Sequence, residues 1–423
     1  MMPDTQPKRV ARCEAVVIWI DWYAYHVARF VGLQSAFGTN GEIVGIELVG
    51  GVGVHEGLKF RESLPEGLPI ETLLPESDWK NANKLALARA LWAKLNELDP
   101  QVVLVPGYYT LPALAAAQWA RQHGRISVLM TESTEADHAR SAWKEKLKST
   151  LIRRMFDWAV TGGAAHVRYL HALHFPKDRI ASFYDVVGNE QLRDGVTALR
   201  AATTAALHSL PEEYLLYVGR LAPEKNVDGL LHAWAEYRRR GGQRPLVLVG
   251  AGESTTSLQQ LAQESGFADH VYFAGHKGSR ELWPYFAFAS AFILPSTREP
   301  WGLVVNEAMA AGLPVFVSSR CGCAENLVAP GENGYLFDPS AFGELTEHLL
   351  AFDGLSSADR ADMAAASSRR IAEYSPNNFG TQIAQIAREK RGNPVDRSNG
   401  SETAAPSFAS VEASRTRAGG TRA

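Results

Sequence analysis

The feature that most constrains the fold is a repeated alternation of short apolar runs with segments of helical spacing. In the first half the apolar runs are AVVIWI, EIVGIEL, VVLVP, ISVLMT and WAVTGG. In the second half they are YLLYVG, PLVLVG, VYFAG, AFILP and PVFVS. Segments such as NKLALARALWAKLNEL and LPALAAAQWARQHG lie between them and show the apolar spacing of helices. Continuously apolar strands separated by helices indicate parallel sheets that are covered on both faces.

Two such series in one chain predict two domains. The 423 residues are too many for one ordinary core. The softer stretch DGVTALRAATTAALHSLPEE separates the series, so we place an N-terminal domain at 1–195 and a C-terminal domain at 205–375. The predicted fold class is α/β, with two tandem doubly wound Rossmann-like domains and a cleft between them. Residues 391–423 are rich in Ser, Ala, Gly and Arg, which predicts a disordered tail.

Composition excludes several classes of protein. The net charge of -3 means that the chain lacks the overall positive charge that favours nucleic-acid binding. Three cysteines are too few for a disulfide framework and fit a reducing cytosol. Cys321 and Cys323 flank one glycine, which leaves a metal or redox pair open, but a structural role is favoured. No apolar run approaches the roughly 20 residues that span a bilayer, and the N-terminal apolar run reads as a first strand rather than a signal peptide.

Several nucleotide and metal motifs are missing from the sequence. There is no Walker A sequence, no full G-x-G-x-x-G and no H-E-x-x-H, and VGAGES supplies only two glycines after a strand. There is also no Asp-x-Asp pair to hold a metal against a diphosphate. We therefore expect no metal and no cofactor, and protein groups must neutralise any diphosphate that binds.

Two segments of the second series offer such groups. YVGRLAPEKN follows a strand and carries Arg220 and Lys225 at the turn, where a guanidinium and an ammonium suit phosphate oxygens. Surface charges in a loop are the alternative interpretation. PWGLVVNEAM should begin a helix near Gly302, whose free N–H groups form an anion site.

Glu299 and Glu307 flank that predicted helix start. Glu299 lies in the loop before the helix, and Glu307 lies about one and a half turns inside it. A carboxylate accepts paired hydrogen bonds from vicinal hydroxyls, which a sugar and a ribose both offer. The alternative is that Glu307 is a buried ion-pair partner and Glu299 a charge favoured by the helix dipole.

GRLAPEKN together with STREPWGLVVNEAMAAGLPV resembles the nucleotide-sugar half of glycosyltransferase family 4, retaining enzymes of the GT-B fold. The likeness is strong over roughly 214–340. YSPNNFGTQIAQIAREK resembles the last helix of that family, so 376–390 is expected to cross back to the N-terminal domain.

The resemblance implies roles at matching positions. Arg220, Lys225 and Glu299 would be the catalytic groups, with the two cations on the donor diphosphate and Glu299 on the sugar hydroxyls. Glu307 would bind the ribose. The remaining implied donor contacts are the backbone at Gly302, Leu303 and Val304, and the base-side loop with His276 and Lys277.

The first series departs from the family pattern. IDWYAYHVARF replaces a Gly-Gly loop, and LMTESTEADHAR stands where relatives place a histidine. The candidates for acceptor contact at this cleft edge are His26, Arg29, Glu132, Asp137, His138 and Arg140. Surface or capping roles are the alternative for each. Tyr25-His26 with Arg29, and the run Tyr184–Val187, resemble segments of bacterial polysaccharide enzymes, which favours a functional loop here.

The segment SAWKEKLKSTLIRRMF predicts an amphipathic basic helix. Five basic residues against one acidic residue give a net charge of +4. The bulky groups expected on one face are Trp143, Leu147, Leu151, Ile152, Met155 and Phe156. Peripheral contact with an anionic membrane is one interpretation. Ordinary packing on its own sheet is the other.

Together these features predict a retaining glycosyltransferase of the hexosyltransferase class. The donor would be a nucleoside-diphosphate sugar. The acceptor would be a glycan or lipid-linked saccharide in polysaccharide biosynthesis. The expected location is the cytoplasm, at the inner face of the membrane if the basic helix binds it. A nucleotide-sugar epimerase, a phosphorylase or a non-catalytic nucleotide-sugar-binding protein remains an alternative.

Overall fold

The two apolar series form two parallel sheets in a computed structural model that describes residues 13–38, 42–52, 67–137 and 141–389. The first unit contains β1 (Cys13–Trp19), α1 (Ala24–Phe37), β2 (Glu42–Val49), β3 (Ile70–Leu74), α2 (Lys84–Leu98), β4 (Val102–Pro106), α3 (Leu111–Gln122), β5 (Ile126–Met130), α4 (Ala142–Met155), β6 (Trp158–Val160), α5 (Ala164–Ala172) and β7 (Ile180–Ala181).

Helix α6 (Asn189–Ala202) connects this unit to the second. The second contains β8 (Tyr214–Val218), α7 (Val227–Arg239), β9 (Leu246–Val249), α8 (Thr255–Glu264), β10 (Val271–Gly275), α9 (Trp283–Phe288), β11 (Ala289–Leu294), α10 (Leu303–Ala310), β12 (Val315–Ser318), α11 (Ala324–Leu327), β13 (Gly334–Phe337), α12 (Phe342–Asp353), α13 (Ser357–Ile371) and α14 (Pro376–Arg388).

Both sheets are doubly wound. The strand orders are β3-β2-β1-β4-β5-β6-β7 and β10-β9-β8-β11-β12-β13. The strand pairings in the described residues are parallel. The order reverses between β1 and β4 and again between β8 and β11, where such sheets bind ligands beyond the strand ends. The fold class predicted from the sequence is confirmed.

The ten strands predicted from apolar runs are all present, and three more were missed. The missed strands β3, β7 and β13 each form an edge of a sheet. Strand β7 has only two residues, and β3 and β13 are partly exposed. Edge strands need less apolar sequence because one side is not covered, so they give a weak signal.

Two helices join the units. Helix α14 packs on α1, where a Cβ at Gly32 would lie 2.1 Å from the Pro376 carbonyl oxygen, so only glycine permits this approach. Helix α6 packs on α9 and α10 of the second unit. It runs across the boundary proposed from the sequence, and the domain limits remain a prediction. The predicted disordered tail, 391–423, lies outside the described residues.

Candidate active site

The predicted site residues of the second unit lie in loops at the C-terminal ends of its strands and in the first turns of α10. Glycines bring three of these loops together: Gly219 after β8, Gly250 after β9 and Gly275 at the end of β10. The Gly219 N–H donates to Val249 O at 3.0 Å, and the Gly250 N–H donates to Gly275 O at 2.9 Å. A Cβ at Gly250 would lie 1.8 Å from Gly219 O, so a side chain there would separate the loops.

The predicted anion site is the start of α10. Gly302 precedes the helix with φ of 103°, a left-handed conformation that favours glycine. Leu303 and Val304 follow in the first turn and are half-buried. Their N–H groups have no partner within the helix, so this end can bind an anion through the backbone.

Lys225 and Glu299 form an ion pair in front of α10. Their side chains are 17% and 13% exposed, and Ser296 Oγ donates a second hydrogen bond to Glu299 at 3.2 Å. The loop that carries Lys225 is fixed by Asn226, whose amide donates to Pro295 O and Pro339 O at 3.1 and 3.0 Å. The structure therefore brings together two residues that lie 74 positions apart in the chain.

Arg220 is placed differently from Lys225. Its side chain is 51% exposed and pairs with Glu224 in the same loop. Both predicted cations thus lie in the β8–α7 loop, each held by a carboxylate. An exposed arginine can turn toward a phosphate at little cost, because surface ion pairs contribute little stability.

Glu307 has no cationic partner among the residues that the structure describes. It is partly buried within α10, and burial raises the pKa of its carboxyl to about 7. The ion-pair alternative is therefore not supported for Glu307, whereas Glu299 does form an ion pair. A carboxyl held without a partner is suited to receive hydroxyl donors from a ligand.

His276 and Lys277 follow β10 as expected. His276 is exposed and Lys277 half-buried. Gly278 N donates to Glu281 Oε2 at 2.7 Å and so shapes this loop. Contact with a base remains a prediction.

The structure corrects the expectation that His26 and Arg29 face the cleft. His26 is 7% exposed, stacks on Trp19 with ring centroids 4.5 Å apart, and accepts a hydrogen bond from Tyr23 N. Arg29 is fully buried. His26 packs on Trp19 of β1, whereas Arg29 turns toward Asp185 and Val186. Burial lowers the pKa of His26 well below its usual range, so the imidazole is neutral.

Glu132 and Asp137 lie at the cleft as predicted. They line a cavity of about 400 Å³ beyond the ends of β1, β4 and β5. Asp137 also accepts two bonds from Thr134, from N and from Oγ1, each at 2.6 Å, which is the capping role left open above. His138 and Arg140 lie outside the described residues.

Tyr108, Tyr109 and Arg298 line the same cavity and were missed as site residues. Tyr184 also lines it and belongs to the run singled out in the sequence. Arg298 belongs to the second unit, so the cavity lies between the two units. Two of the missed residues could have been predicted from the sequence, because Tyr108 and Tyr109 lie just after the end of β4, where ligands of such sheets bind. The position of Arg298 depends on how the units pack, which the sequence does not display.

A second group of missed residues connects the units beside Glu299. His166 Nε2 lies 3.0 Å from Pro300 O, Trp301 Nε1 donates to Asn306 Oδ1 at 2.9 Å, and Asn306 Nδ2 donates to Asp185 O at 2.9 Å. Trp301 is 1% exposed. The Pro300-Trp301 step after Glu299 is therefore an interdomain contact that fixes the loop in front of α10.

Cys321 and Cys323 are free and buried beneath this loop. The backbone between them supports it, because the Gly322 N–H donates to Glu299 O at 2.9 Å and the Cys323 N–H to Trp301 O at 3.2 Å. Burial raises the pKa of both thiols well above the usual range. These contacts support the structural interpretation of the pair.

Comparison with known proteins identifies the second unit. A family model described as "Glycosyl transferases group 1" matches residues 204–367, which include the loops with Lys225 and Glu299 and the whole of α10. The C-terminal domain belongs to the glycosyl transferases group 1 family. The resemblance drawn from the sequence motifs is thereby confirmed.

The relatives that match the group 1 domain have names that refer to different substrates. The chain is 37% identical over 150 residues to D-inositol 3-phosphate glycosyltransferase of Frankia alni, covering 33% of this chain and 37% of the relative. It is 30% identical over 208 residues to alpha-D-kanosaminyltransferase of Streptomyces kanamyceticus, covering 48% and 53%. It is 27% identical over 277 residues to glycogen synthase of Mycobacterium tuberculosis, covering 65% of each. These alignments span less than two thirds of each relative.

Solved structures resemble the chain over nearly its whole described length. Anabaena Alr3699/HepE in complex with UDP superposes with a TM-score of 0.66 at 17% identity, covering 88% of this chain and 99% of that one. A glycosyltransferase from Rickettsia africae gives 0.68 at 12% identity, covering 90% and 98%. At such identities the likeness shows the fold, which is the two-domain GT-B arrangement.

Proposed function

We propose that the protein is a retaining glycosyltransferase that moves a sugar from a nucleoside-diphosphate sugar to a hydroxyl acceptor. One observation carries the proposal. Within a group 1 domain, the start of α10 stands behind the Lys225–Glu299 pair. Glu307, which has no cationic partner in the described part of the chain, lies just over one turn inside the same helix. In a nucleotide sugar the diphosphate lies between the ribose and the sugar. The diphosphate needs N–H donors and positive charge, and the hydroxyls of the sugar and of the ribose each need a carboxylate acceptor.

The chemical demand is to stabilise negative charge that grows on the leaving diphosphate. The N–H groups of Leu303 and Val304 supply fixed dipoles, while Lys225 and Arg220 supply positive charge. Lys225 would exchange part of its contact with Glu299 for a phosphate oxygen. Glu299 would then be free to accept the sugar hydroxyls. In this proposal the leaving phosphate takes the acceptor proton, so no protein nucleophile is required.

The donor is tested by thermal shift with UDP-, GDP- and ADP-sugars. A ligand at 100 times its dissociation constant stabilises the folded state by about 2.7 kcal/mol, so a true donor raises the melting temperature clearly. The Anabaena structure holds UDP, which makes UDP-sugars the first to try. If no nucleotide sugar raises the melting temperature, the proposed function is wrong.

Product analysis separates the alternatives. A glycosyltransferase yields free nucleoside diphosphate and a glycosylated acceptor, whereas an epimerase yields an altered nucleotide sugar and a phosphorylase a sugar phosphate. A non-catalytic binding protein shifts in melting temperature without any product. Activity should also survive EDTA, because the proposed diphosphate contacts are all protein groups. Loss in EDTA that Mn²⁺ restores would contradict this part.

The acceptor is proposed to be a glycan or a lipid-linked saccharide, used in the cytoplasm at the inner face of the membrane. No helix in the described part of the chain is long and apolar enough to cross a bilayer. Helix α4 offers a peripheral contact instead, since Trp143 and Leu147 are 67% and 64% exposed beside the exposed Lys144 and Lys146.

The predicted apolar face of α4 is thus divided. Ile152 and Phe156 pack into the core, as in the ordinary-packing alternative, while the N-terminal turns stay exposed. Lys148 pairs with Glu145 and donates to Tyr169 Oη at 2.6 Å, so it belongs to the fold rather than to a membrane face.

Liposome flotation tests the membrane contact. Wild type should float with anionic vesicles at low salt and detach at high salt, since each basic residue near the surface adds about 1 kcal/mol. Lys144→Glu with Lys146→Glu should stay in the soluble fraction. Wild type that never floats would make a soluble acceptor the better proposal.

A further inference from the structure

Asp185 is a fully buried carboxyl between the two units. Its Oδ1 lies 3.3 Å from Arg29 Nη2, and Arg29 Nε donates to Val186 O at 3.2 Å. The guanidinium also lies over the Tyr184 ring, 4.2 Å from its centroid. The Tyr25–Arg29 and Tyr184–Val187 segments singled out in the sequence therefore form one buried cluster.

The second carboxyl oxygen, Asp185 Oδ2, has no hydrogen-bond donor among the described residues. It lies against Gly162, where a Cβ would come within 2.2 Å, and its carboxyl faces that of Glu132 within hydrogen-bonding reach. Two ionised carboxylates only accept hydrogen bonds, so this arrangement is satisfied when one proton lies between them. Glu132 also lines the interdomain cavity, so the buried pair has one open side.

The charges in this cluster also indicate one proton shared by the two carboxyls. Arg29 supplies one positive charge, and two ionised carboxylates would leave an uncompensated negative charge in a buried site. Burial, followed by the neighbouring Glu132 charge, raises the pKa of Asp185 well above its usual range. The other titratable or charged groups around the cluster and its cavity are Tyr25, His26, Tyr109, Asp137, His166, Tyr184, Arg298 and Cys323. Burial lowers the pKa of both histidines, so neither supplies a compensating charge.

We propose that Glu132 and Asp185 share one proton and that Glu132 receives a ring hydroxyl of a carbohydrate acceptor in the interdomain cavity. The choice of ligand class rests on the glycosyl transfer proposed above. With the proton held toward Asp185, the cavity side of Glu132 keeps free oxygen lone pairs, which accept a hydrogen bond from a sugar hydroxyl. Tyr108 and Tyr109 line the same cavity and offer ring faces for the apolar side of a pyranose.

Asp185 acts in this scheme as a positioning residue. Its carbonyl oxygen accepts from Asn306 Nδ2 on α10, while its carboxyl holds Glu132. Asn306 directly precedes Glu307 in the helix of the donor site. Asp185 therefore joins the donor helix to the acceptor carboxyl through one residue, which fixes the distance between the two sites.

The shared proton is tested by urea unfolding between pH 5 and 9 with amide variants. In wild type the folded state keeps a proton that the unfolded chain releases above its ordinary carboxyl pKa of about 4. Rising pH therefore destabilises the folded state, by up to tenfold in the unfolding constant per pH unit until the raised pKa is passed. Asp185→Asn and Glu132→Gln should each remove this part of the pH dependence and leave only the part due to the raised pKa of Glu307, which ends near pH 7. The exposed control Asp194→Asn should keep both parts.

The double amide variant gives an independent outcome. Either single change leaves Arg29 facing one carboxylate. The double change leaves the buried guanidinium without an anionic partner and should prevent stable folding. If Asp185→Asn does not fold, the cavity-facing Glu132→Gln still tests the shared proton. Identical pH slopes in wild type and Glu132→Gln would overturn the proposal. A double variant as stable as the singles would overturn it as well.

Ligand binding tests the acceptor part separately. The probes are methyl glycosides of glucose, galactose and mannose, followed by saturation-transfer NMR. At least one should bind wild type and bind Glu132→Gln about tenfold more weakly, with Asp194→Asn unchanged. Absence of binding by all three in wild type would overturn the carbohydrate assignment. Binding of free UDP, GDP and ADP tests the donor domain independently. If none of them binds, the proposed glycosyl transfer is wrong, whereas the shared proton is unaffected.

Discussion

Replacing Glu307 with glutamine should stabilise the protein and weaken nucleotide binding at the same time. Burial raises the pKa of this carboxyl from its ordinary 4.5 to about 7, and no cation among the described residues compensates its charge. At 1.36 kcal/mol per pKa unit, the difference corresponds to at most about 3 kcal/mol. The neutral amide of glutamine fits the same space without that penalty.

The direction of the pH effect follows from the difference between the folded and unfolded pKa of Glu307. Because the folded pKa is raised, the contribution of Glu307 to stability is fully present below the unfolded value near pH 4.5. It is lost as the pH rises to about 7. Glu307→Gln should therefore equal wild type near pH 4.5 and exceed it at pH 8, by up to about 3 kcal/mol of unfolding free energy. The exposed Glu332→Gln is the matched control and should follow wild type throughout.

Binding should change in the opposite direction. A hydrogen bond to a charged group contributes about 1.5–3 kcal/mol, against about 0.5–1.5 kcal/mol for a neutral pair. Calorimetry with the free nucleoside diphosphate should therefore show a loss of roughly tenfold in affinity. A variant that is less stable than wild type at pH 8, or that binds nucleotide equally well, would refute the reasoning and return Glu307 to an ion-pair role.

The other predictions concern the diphosphate, the sugar and the helix start. Arg220→Ala and Lys225→Ala should each cost about 1.5–3 kcal/mol of donor or transition-state binding, measured as kcat/KM on a proven donor, and wild-type turnover in both would exclude the phosphate role. Glu299→Gln should lower kcat and reduce discrimination between donor sugars, while the affinity for free nucleoside diphosphate stays near wild type. An equal loss of kcat and of nucleoside diphosphate affinity would contradict a role on the sugar. Gly302→Ala should destabilise the fold by about 1–3 kcal/mol, because alanine would be strained at φ of 103° and its Cβ would lie 2.9 Å from Leu294 Cδ2. Urea unfolding measures this loss, and an unchanged midpoint would contradict the prediction.

Local sequence patterns predicted most of the architecture. Each of the ten apolar runs became a strand, since a strand covered on both faces must be continuously apolar. The loop with Lys225 and the start of α10 were also readable, because glycine and the apolar helix pattern mark them locally. The edge strands β3, β7 and β13 escaped because they are short or partly exposed.

The sequence by itself determined the fold class, the loops after β8 and before α10, and the family motif, because these depend on residues close together in the chain. Only the tertiary structure decided that Arg29 is buried against Asp185, 156 residues away, and that Asn306 reaches Asp185 across 121 residues. It also decided that Arg298 of one unit lines a cavity with Glu132 of the other. Such contacts depend on the packing of two separately patterned sheets. The apolar periodicity of a segment specifies which face is buried, but not which distant side chain it will meet.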